Sequence, residues 1–248
     1  MKGIILAGGT GSRLRPLTNV TNKHLLPIYD KPMIFYPLEF LKSMGIKEII
    51  LTTGKEFAGD FADLLGDGSA FGVSLTYKVQ ESPLGIAHAL GVTESIIGED
   101  SIMVILGDNV FMLEKEEEAR IRERVAAFAS NPDGAVIFLK EVDDPRRFGV
   151  PTIGNGGKLL GITEKPTHPG SNYAVTGLYL YDSKVFRKIK ALRPSSRGEL
   201  ELTDVNNAYL AEGKLDYSVI LGEWTDAGTF ESLHKANLIA KEARHNGK

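Results

Sequence analysis

The sequence predicts an α/β fold, doubly wound around a mostly parallel, mixed sheet. Three observations carry this expectation. Short aliphatic runs alternate with helix-length amphipathic stretches from the N-terminus to about residue 106, the order that builds a parallel sheet with helices on both faces. The runs end in polar or glycine-rich loops at Gly8, Gln80 and Gly107, so three such loops fall beyond the carboxyl ends of strands, where ligands of these sheets collect. No internal repeat, linker or low-complexity tract interrupts the chain, which reads as one domain over 1–248 with halves at about 1–110 and 111–230 and a closing helix at about 229–244.

Each element has its own signal. Ile4-Ile-Leu6 is a buried strand that runs into glycines at 8, 9 and 11. Pro32 is placed to open a helix, with Ile34, Leu38 and Leu41 at helical spacing until Gly45 stops it. Ile46 to Thr52 is a β-branched strand, Phe57 to Leu65 a helix, and Val73 to Val79 an alternating strand. Ile86 to Ile97 reads as one helix and Ser101 to Leu106 as a compact buried strand. Glu114 to Ala129 is a charge-rich helix; Glu116, Glu117 and Glu118 near its start and Arg120, Arg122 and Arg124 later suit the helix dipole and a solvated face. Gly134 to Glu141 and Ala174 to Tyr181 are strands flanking a hairpin whose turn holds Gly154 to Gly157. Helices at Val185 to Leu192 and Leu200 to Leu210, a strand at Leu215 to Leu221, and a helix from about Thr229 to Arg244 complete a Rossmann-like, mixed-sheet architecture.

Composition narrows the functional classes. Hydrophobic content of 42% with 25% charged residues is that of a soluble globular protein. Cysteine is absent, which excludes disulfide and thiolate chemistry. The opening apolar run is too short for a signal peptide, no 18-residue apolar stretch exists, and the expectation is a cytoplasmic protein without membrane contact. A net charge of −3 gives no global attraction to nucleic acid, so an anionic substrate must be held by local positive charge.

The opening stretch supplies that charge. Glycines let backbone N–H groups approach an anion, and Arg13, Arg15 and Lys23 follow at once. Two rival readings of the glycine loop match poorly: a dinucleotide fingerprint needs glycine where Leu14 stands, and a P-loop needs Gly-Lys-Ser/Thr where Gly11-Ser12-Arg13 stands. Glycines alone would be a bare turn; with the cations they read as a triphosphate cradle. Gln80 offers an amide that both donates and accepts, a match for a pyrimidine imide edge or, equally, a strand-end residue.

Gly8-Gly-Thr-Gly-Ser-Arg-Leu-Arg-Pro-Leu-Thr18, with Lys23 and Lys31-Pro-Met33, resembles the signature of sugar-1-phosphate nucleotidyltransferases, and within them the glucose-1-phosphate thymidylyltransferases. The likeness continues through Gln80-Glu-Ser-Pro-Leu-Gly85, Leu106-Gly-Asp-Asn109, Phe148-Gly-Val150, Glu164-Lys-Pro166, Tyr173-Ala-Val-Thr-Gly177 and Trp224-Thr-Asp226, in family order over residues 3 to 228. It implies the nucleotide-diphospho-sugar transferase type of fold and attack by a sugar-1-phosphate oxygen on a nucleotide α-phosphorus, with pyrophosphate leaving. By resemblance, Arg13, Lys23, Asp108, Lys165 and Asp226 carry catalysis, and Asp108 and Asp226 hold Mg²⁺. Leu6, Ala7, Gly8, Gly9, Thr10, Gly11, Ser12, Arg13, Gln80, Pro83, Gly85 and Asp108 take the nucleotide. Lys23, Asn109, Gly149, Glu164, Lys165, Val175, Tyr179 and Trp224 take the sugar phosphate. The implied partners are dTTP or UTP and glucose 1-phosphate, in a homo-oligomer.

Some positions depart from the family pattern. Ser12 stands for a common Thr, and Phe148 for a frequent Tyr, which removes one hydroxyl near the sugar. Ending at Lys248, the chain resembles the short form, which lacks the helices of a regulatory nucleotide site. Relatives with nearly the same motifs use UTP or other hexose 1-phosphates, and a non-catalytic nucleotide-sugar-binding protein is the reading from another class; the full set of charged motif residues argues against it.

Overall fold

In the computed structural model, which describes residues 1–246, the apolar N-terminal run becomes the strand β1 (Lys2–Ala7) in the middle of the molecule. Three 3₁₀ turns then carry the glycine loop to Leu25, and a small hairpin of β2 (Pro27–Ile28) and β3 (Lys31–Pro32) follows. Next come α1 (Phe35–Ser43), β4 (Glu48–Gly54), α2 (Ala58–Leu65), β5 (Ser74–Gln80), α3 (Ile86–Gly91), α4 (Glu94–Ile97), β6 (Ile102–Leu106) and β7 (Asn109–Met112). The second half runs α5 (Lys115–Ser130), β8 (Ala135–Glu141), β9 (Gly149–Ile153), β10 (Leu159–Glu164) and β11 (Tyr173–Tyr181). It closes with α6 (Val185–Ala191), α7 (Leu202–Ala211), β12 (Leu215–Ile220), β13 (Glu223–Asp226) and α8 (Phe230–Asn246).

Seven strands form the central sheet in the order β12-β8-β11-β6-β1-β4-β5. All pairings are parallel except those of β11, which runs against both β6 and β8. The doubly wound, mostly parallel mixed sheet expected from the sequence is therefore present, with one reversed strand. That reversal has a use: β11 begins at the edge where its neighbours end, so its first residues join the ligand side. Alternation along β1 shows why both faces are covered. Ile5 and Ala7 pack with α1, α2 and α5, whereas Ile4 and Leu6 pack with α3, α6 and α7 on the opposite face.

Local expectations differ from the structure at several places. Pro32 does not open α1; it pairs with Pro27 in the hairpin, and Pro37, in the first turn of α1, takes the position where a missing N–H costs nothing. The single helix over Ile86 to Ile97 is two, because both the amide and the hydroxyl of Thr93 donate to the Leu90 carbonyl and tighten the turn there. Glu117 is not on a solvated face. It is buried, and its carboxylate accepts from the amides of Leu221 and Gly222, fixing the chain just before β13. The strand β7 was not foreseen; it pairs antiparallel with β13, and this ribbon matters most for the site.

Candidate active site

The register of the β7–β13 ribbon sets Asp226 opposite Asn109, and the Ala227 amide donates to the Asp108 carbonyl at 2.8 Å. Two carboxylates 118 positions apart in sequence thereby share one space. That space exists because residue 228 is glycine. A Cβ there would lie 3.3 Å from Asp226 Oδ2, 3.6 Å from Asp108 Oδ2 and 3.0 Å from Arg13 Nη2. Each carboxylate has a cation partner: Lys23 Nζ is 2.5 Å from Asp108, and Arg147 Nη2 is 2.9 Å and 3.2 Å from the two oxygens of Asp226.

The two acids differ in proton affinity. Burial pushes the Asp108 carboxyl up, but the charge of Lys23 and the hydrogen bonds from Lys23 and the Asn109 amide outweigh it and hold it far below the usual carboxylate range. Asp226 is raised to about 6, first by burial and then by Asp108, against Arg147, Arg13 and Lys23. His24, fully enclosed, is lowered to about 3 by burial and by Lys23, so it is a neutral ring whose Nδ1 donates to Asn22 Oδ1 at 2.7 Å. Among the described residues no three His, Cys, Asp or Glu side chains converge as a metal cage. Two carboxylates around an open cradle fit an ion that takes its remaining ligands from water and phosphate, the habit of Mg²⁺.

Two clefts meet at this point. The first, about 210 Å³, is lined by Leu6, Gly8, Gly9, Lys23, His24, Gln80, Pro83, Gly85, Asp108 and neighbours. The second, about 250 Å³, takes Arg13, Asn109, Arg147, Gly149, Glu164, Lys165, Val175, Tyr179, Trp224 and Asp226 among its walls. Lys23 and Asp108 belong to both. Of the cations lining the second cleft, Arg13 alone makes no ion pair among the described residues.

Close packing explains several motif residues. A Cβ on Gly8 would meet Gln80 Oε1 at 2.7 Å, so the glycine lets the buried amide press against the loop while its Nε2 bonds His88 Nδ1 at 2.9 Å. Gly85 adopts φ +103°, and a Cβ there would lie 2.5 Å from the Leu200 carbonyl oxygen. Glu164 and Lys165 are adjacent in sequence, yet both line the second cleft. In an extended strand they would face opposite ways; Lys165 breaks the alternation with φ +45° at the end of β10, its amide donating to the Phe148 carbonyl. Thr203 fixes Glu164 with a 2.5 Å hydrogen bond from its hydroxyl.

Not every expected residue faces a cleft. The Ala7 side chain is buried on the opposite face of β1 from Leu6 because neighbours in a strand alternate, so only its backbone can serve a ligand. Thr10 and Ser12 are exposed, and with Gly11 they lie outside the walls of both clefts. Asn109 is 2% exposed and spends its amide internally: Nδ2 donates to Asp108, and Oδ1 accepts from the Gly177 amide and from Trp224 Nε1. It positions Asp108 and Trp224 rather than offering polar atoms to a sugar. Arg147, His24, His88, Arg197 and Thr203 were missed by the sequence reading. Arg147 directly precedes Phe148-Gly-Val150, and His24 directly follows Lys23, the only sequence signal either offered.

An α/β sheet with a glycine-and-arginine loop, an acid pair and two adjoining clefts at its strand ends defines an enzyme that handles phosphorylated substrates. The Nucleotidyl transferase family model matches residues 2–243, and the chain belongs to that family of enzymes. A glucose-1-phosphate thymidylyltransferase of Neisseria meningitidis is 46% identical over 239 residues, 95% of this chain and 81% of the relative. One from Mycobacterium tuberculosis is 45% identical over 250 residues, 100% of this chain and 85% of the relative. A Bacillus anthracis structure provisionally named as a glucose-1-phosphate thymidylyltransferase, in complex with sucrose, superimposes with a TM-score of 0.90 at 55% identity, covering 97% of this chain and 95% of that one. A UDP-glucose pyrophosphorylase bound to UDP-glucose shares the fold at 22% identity and a TM-score of 0.85. Among the described residues no helix is long and apolar enough to cross a membrane.

Proposed function

We propose that this enzyme transfers the thymidylyl group of dTTP to glucose 1-phosphate with Mg²⁺, releasing pyrophosphate and forming dTDP-glucose. The observation that carries the reading is the pair of clefts joined at Lys23 and Asp108, which allows two anionic substrates to meet over one cation. Relatives that this chain matches over nearly its full length and that bear the name glucose-1-phosphate thymidylyltransferase support the choice of substrates.

Chemistry assigns the parts. A phosphate oxygen of the sugar phosphate attacks the α-phosphorus, the bond to the β-phosphate bridging oxygen breaks, and pyrophosphate departs in line. Two anions must be brought together, so alignment and charge neutralisation supply most of the acceleration. Lys23 would touch both the α-phosphate and the incoming phosphate. Arg13, which makes no ion pair among the described residues, would take the β- and γ-phosphates as they leave. Gln80 Oε1, pressed against Gly8, would accept from a pyrimidine imide N–H. Glu164, fixed by Thr203, would accept from the hexose hydroxyls, with Lys165 at its phosphate. Mg²⁺ would be held by Asp108 and Asp226 and would neutralise phosphate charge.

The test crosses dTTP and UTP with several hexose 1-phosphates under Mg²⁺, reading pyrophosphate release. The highest kcat/KM is expected for dTTP with glucose 1-phosphate. A preference for UTP would overturn the base assignment, and no release from any pair would overturn the proposal.

A further inference from the structure

Arg147 is bound in an unusual way for an arginine. Its guanidinium carries five N–H donors, yet among the described residues only Nη2 is engaged, and only with Asp226. It is the last residue of the 3₁₀ turn Pro145–Arg147, its side chain is 38% exposed, and it can leave Asp226 by a change of rotamer without moving backbone. The ring of Phe148, with its centroid 5.5 Å from Arg147 Cζ, gives the guanidinium a flat surface beside the second cleft. Lys23, the partner of Asp108, differs: it is 14% exposed and packed at the junction of the two clefts.

A dication and a guanidinium compete for one carboxylate, because both sit against its oxygens and repel each other at that distance. Asp226 faces Asp108 across the glycine cradle at residue 228 and needs a positive neighbour whether or not an ion is there. We infer that Arg147 is a placeholder for the divalent cation: it neutralises Asp226 in the ion-free enzyme and is released, when the ion takes that carboxylate, to bind the phosphate of the acceptor in the second cleft. The inference rests on the reading of Asp108 and Asp226 as the Mg²⁺ pair. The planar fork of arginine suits a phosphate, and the unengaged Nε and Nη1 supply donors for it. Arg147 is thus a positioning residue for the ion and, after release, a binding residue for the acceptor.

The placeholder predicts effects of opposite sign from one substitution. Mn²⁺ is titrated into substrate-free wild type, Arg147→Ala, Arg147→Lys and Asp226→Asn, following free Mn²⁺ by electron paramagnetic resonance. Arg147→Ala should bind Mn²⁺ roughly fivefold or more tightly than wild type, the coupling between two cations at one carboxylate having been removed. Arg147→Lys keeps the charge and should stay near wild type. Asp226→Asn should lose the site. In turnover at saturating Mg²⁺, Arg147→Ala should raise KM for the sugar phosphate by roughly tenfold, one charge-assisted contact, with a smaller change in kcat. A merely structural role would weaken both properties together. Equal or weaker Mn²⁺ binding by Arg147→Ala, where wild-type binding depends on Asp226, overturns the placeholder alone; so does an unchanged KM. Equal Mn²⁺ binding by wild type and Asp226→Asn overturns the metal site and the placeholder with it. Should Arg147→Ala fail to fold, Arg147→Gln, which preserves the stem and a donor, is read in its place by the same criteria.

Discussion

Asp226→Asn should stabilise the metal-free protein while removing its activity. The carboxyl is raised to about 6 from an ordinary 3.8, first by burial and then by Asp108, so its ionised form is costly in the folded chain. A group whose folded pKa lies above its unfolded value takes up a proton on folding between those two values. The cost of the charge is therefore absent below pH 3.8, grows as pH rises through the interval, and is complete above pH 6. Raising the carboxyl from 3.8 to about 6 corresponds to about 3 kcal/mol at pH 8, and about half of it remains at pH 5. Asparagine keeps the shape and can still accept from Arg147 Nη2, now at 2.9 Å from Oδ2, but carries no charge. Urea unfolding in EDTA at pH 8 and pH 5 measures the difference. The variant should be more stable by up to about 3 kcal/mol at pH 8, with the advantage shrinking by about half at pH 5. A variant less stable than wild type at pH 8, or an advantage independent of pH, would refute the argument that the acid pair stores this cost.

Three further substitutions separate geometry from charge. Asp108→Asn removes the carboxylate that pairs with Lys23 at 2.5 Å; turnover should fall by on the order of 10³, while dTTP binding by calorimetry partly survives. Normal turnover would remove Asp108 from the site. Gly228→Ala places a methyl between the two carboxylates and 3.0 Å from the flexible end of Arg13, so the fold should tolerate it while Mg²⁺-dependent turnover drops by roughly 10². A large loss of Tm with full activity would contradict the cradle. Gly85→Ala meets the Leu200 backbone at 2.5 Å in a conformation, φ +103°, that only glycine adopts freely. It should lose at least about 2 kcal/mol of stability and raise KM for the nucleotide as the wall of the first cleft shifts.

The fold class was legible in the sequence because it rests on periodicity, a local property. Ile4-Ile-Leu6, Ile46 to Thr52 and Ser101 to Leu106 announce buried strands wherever they lie, and the glycine loop, Gln80 and Gly107 mark the edge at which those strands end. The resemblance of the motifs then named the charged residues without showing how they meet. Non-local pairing decided that, and no spacing reports it. Asp108 and Asp226 face each other because β13 lies antiparallel to β7 in a register that sets Asp226 against Asn109, a strand pair whose four-residue members are too short to stand out as strands. Side-chain economy was equally hidden: Asn109, a motif residue, is consumed by Gly177, Trp224 and Asp108, whereas Arg147, outside any motif that was singled out, reaches the acid pair. Even Glu164 and Lys165, adjacent and recognisable, face one cleft together only because the backbone turns left-handed at Lys165. Composition and period are properties of the chain read in order, so the available chemistry and the edge of the sheet that carries it could be read there. Which charge neutralises which depends on distances between residues the chain holds far apart, and those distances exist once the chain has folded.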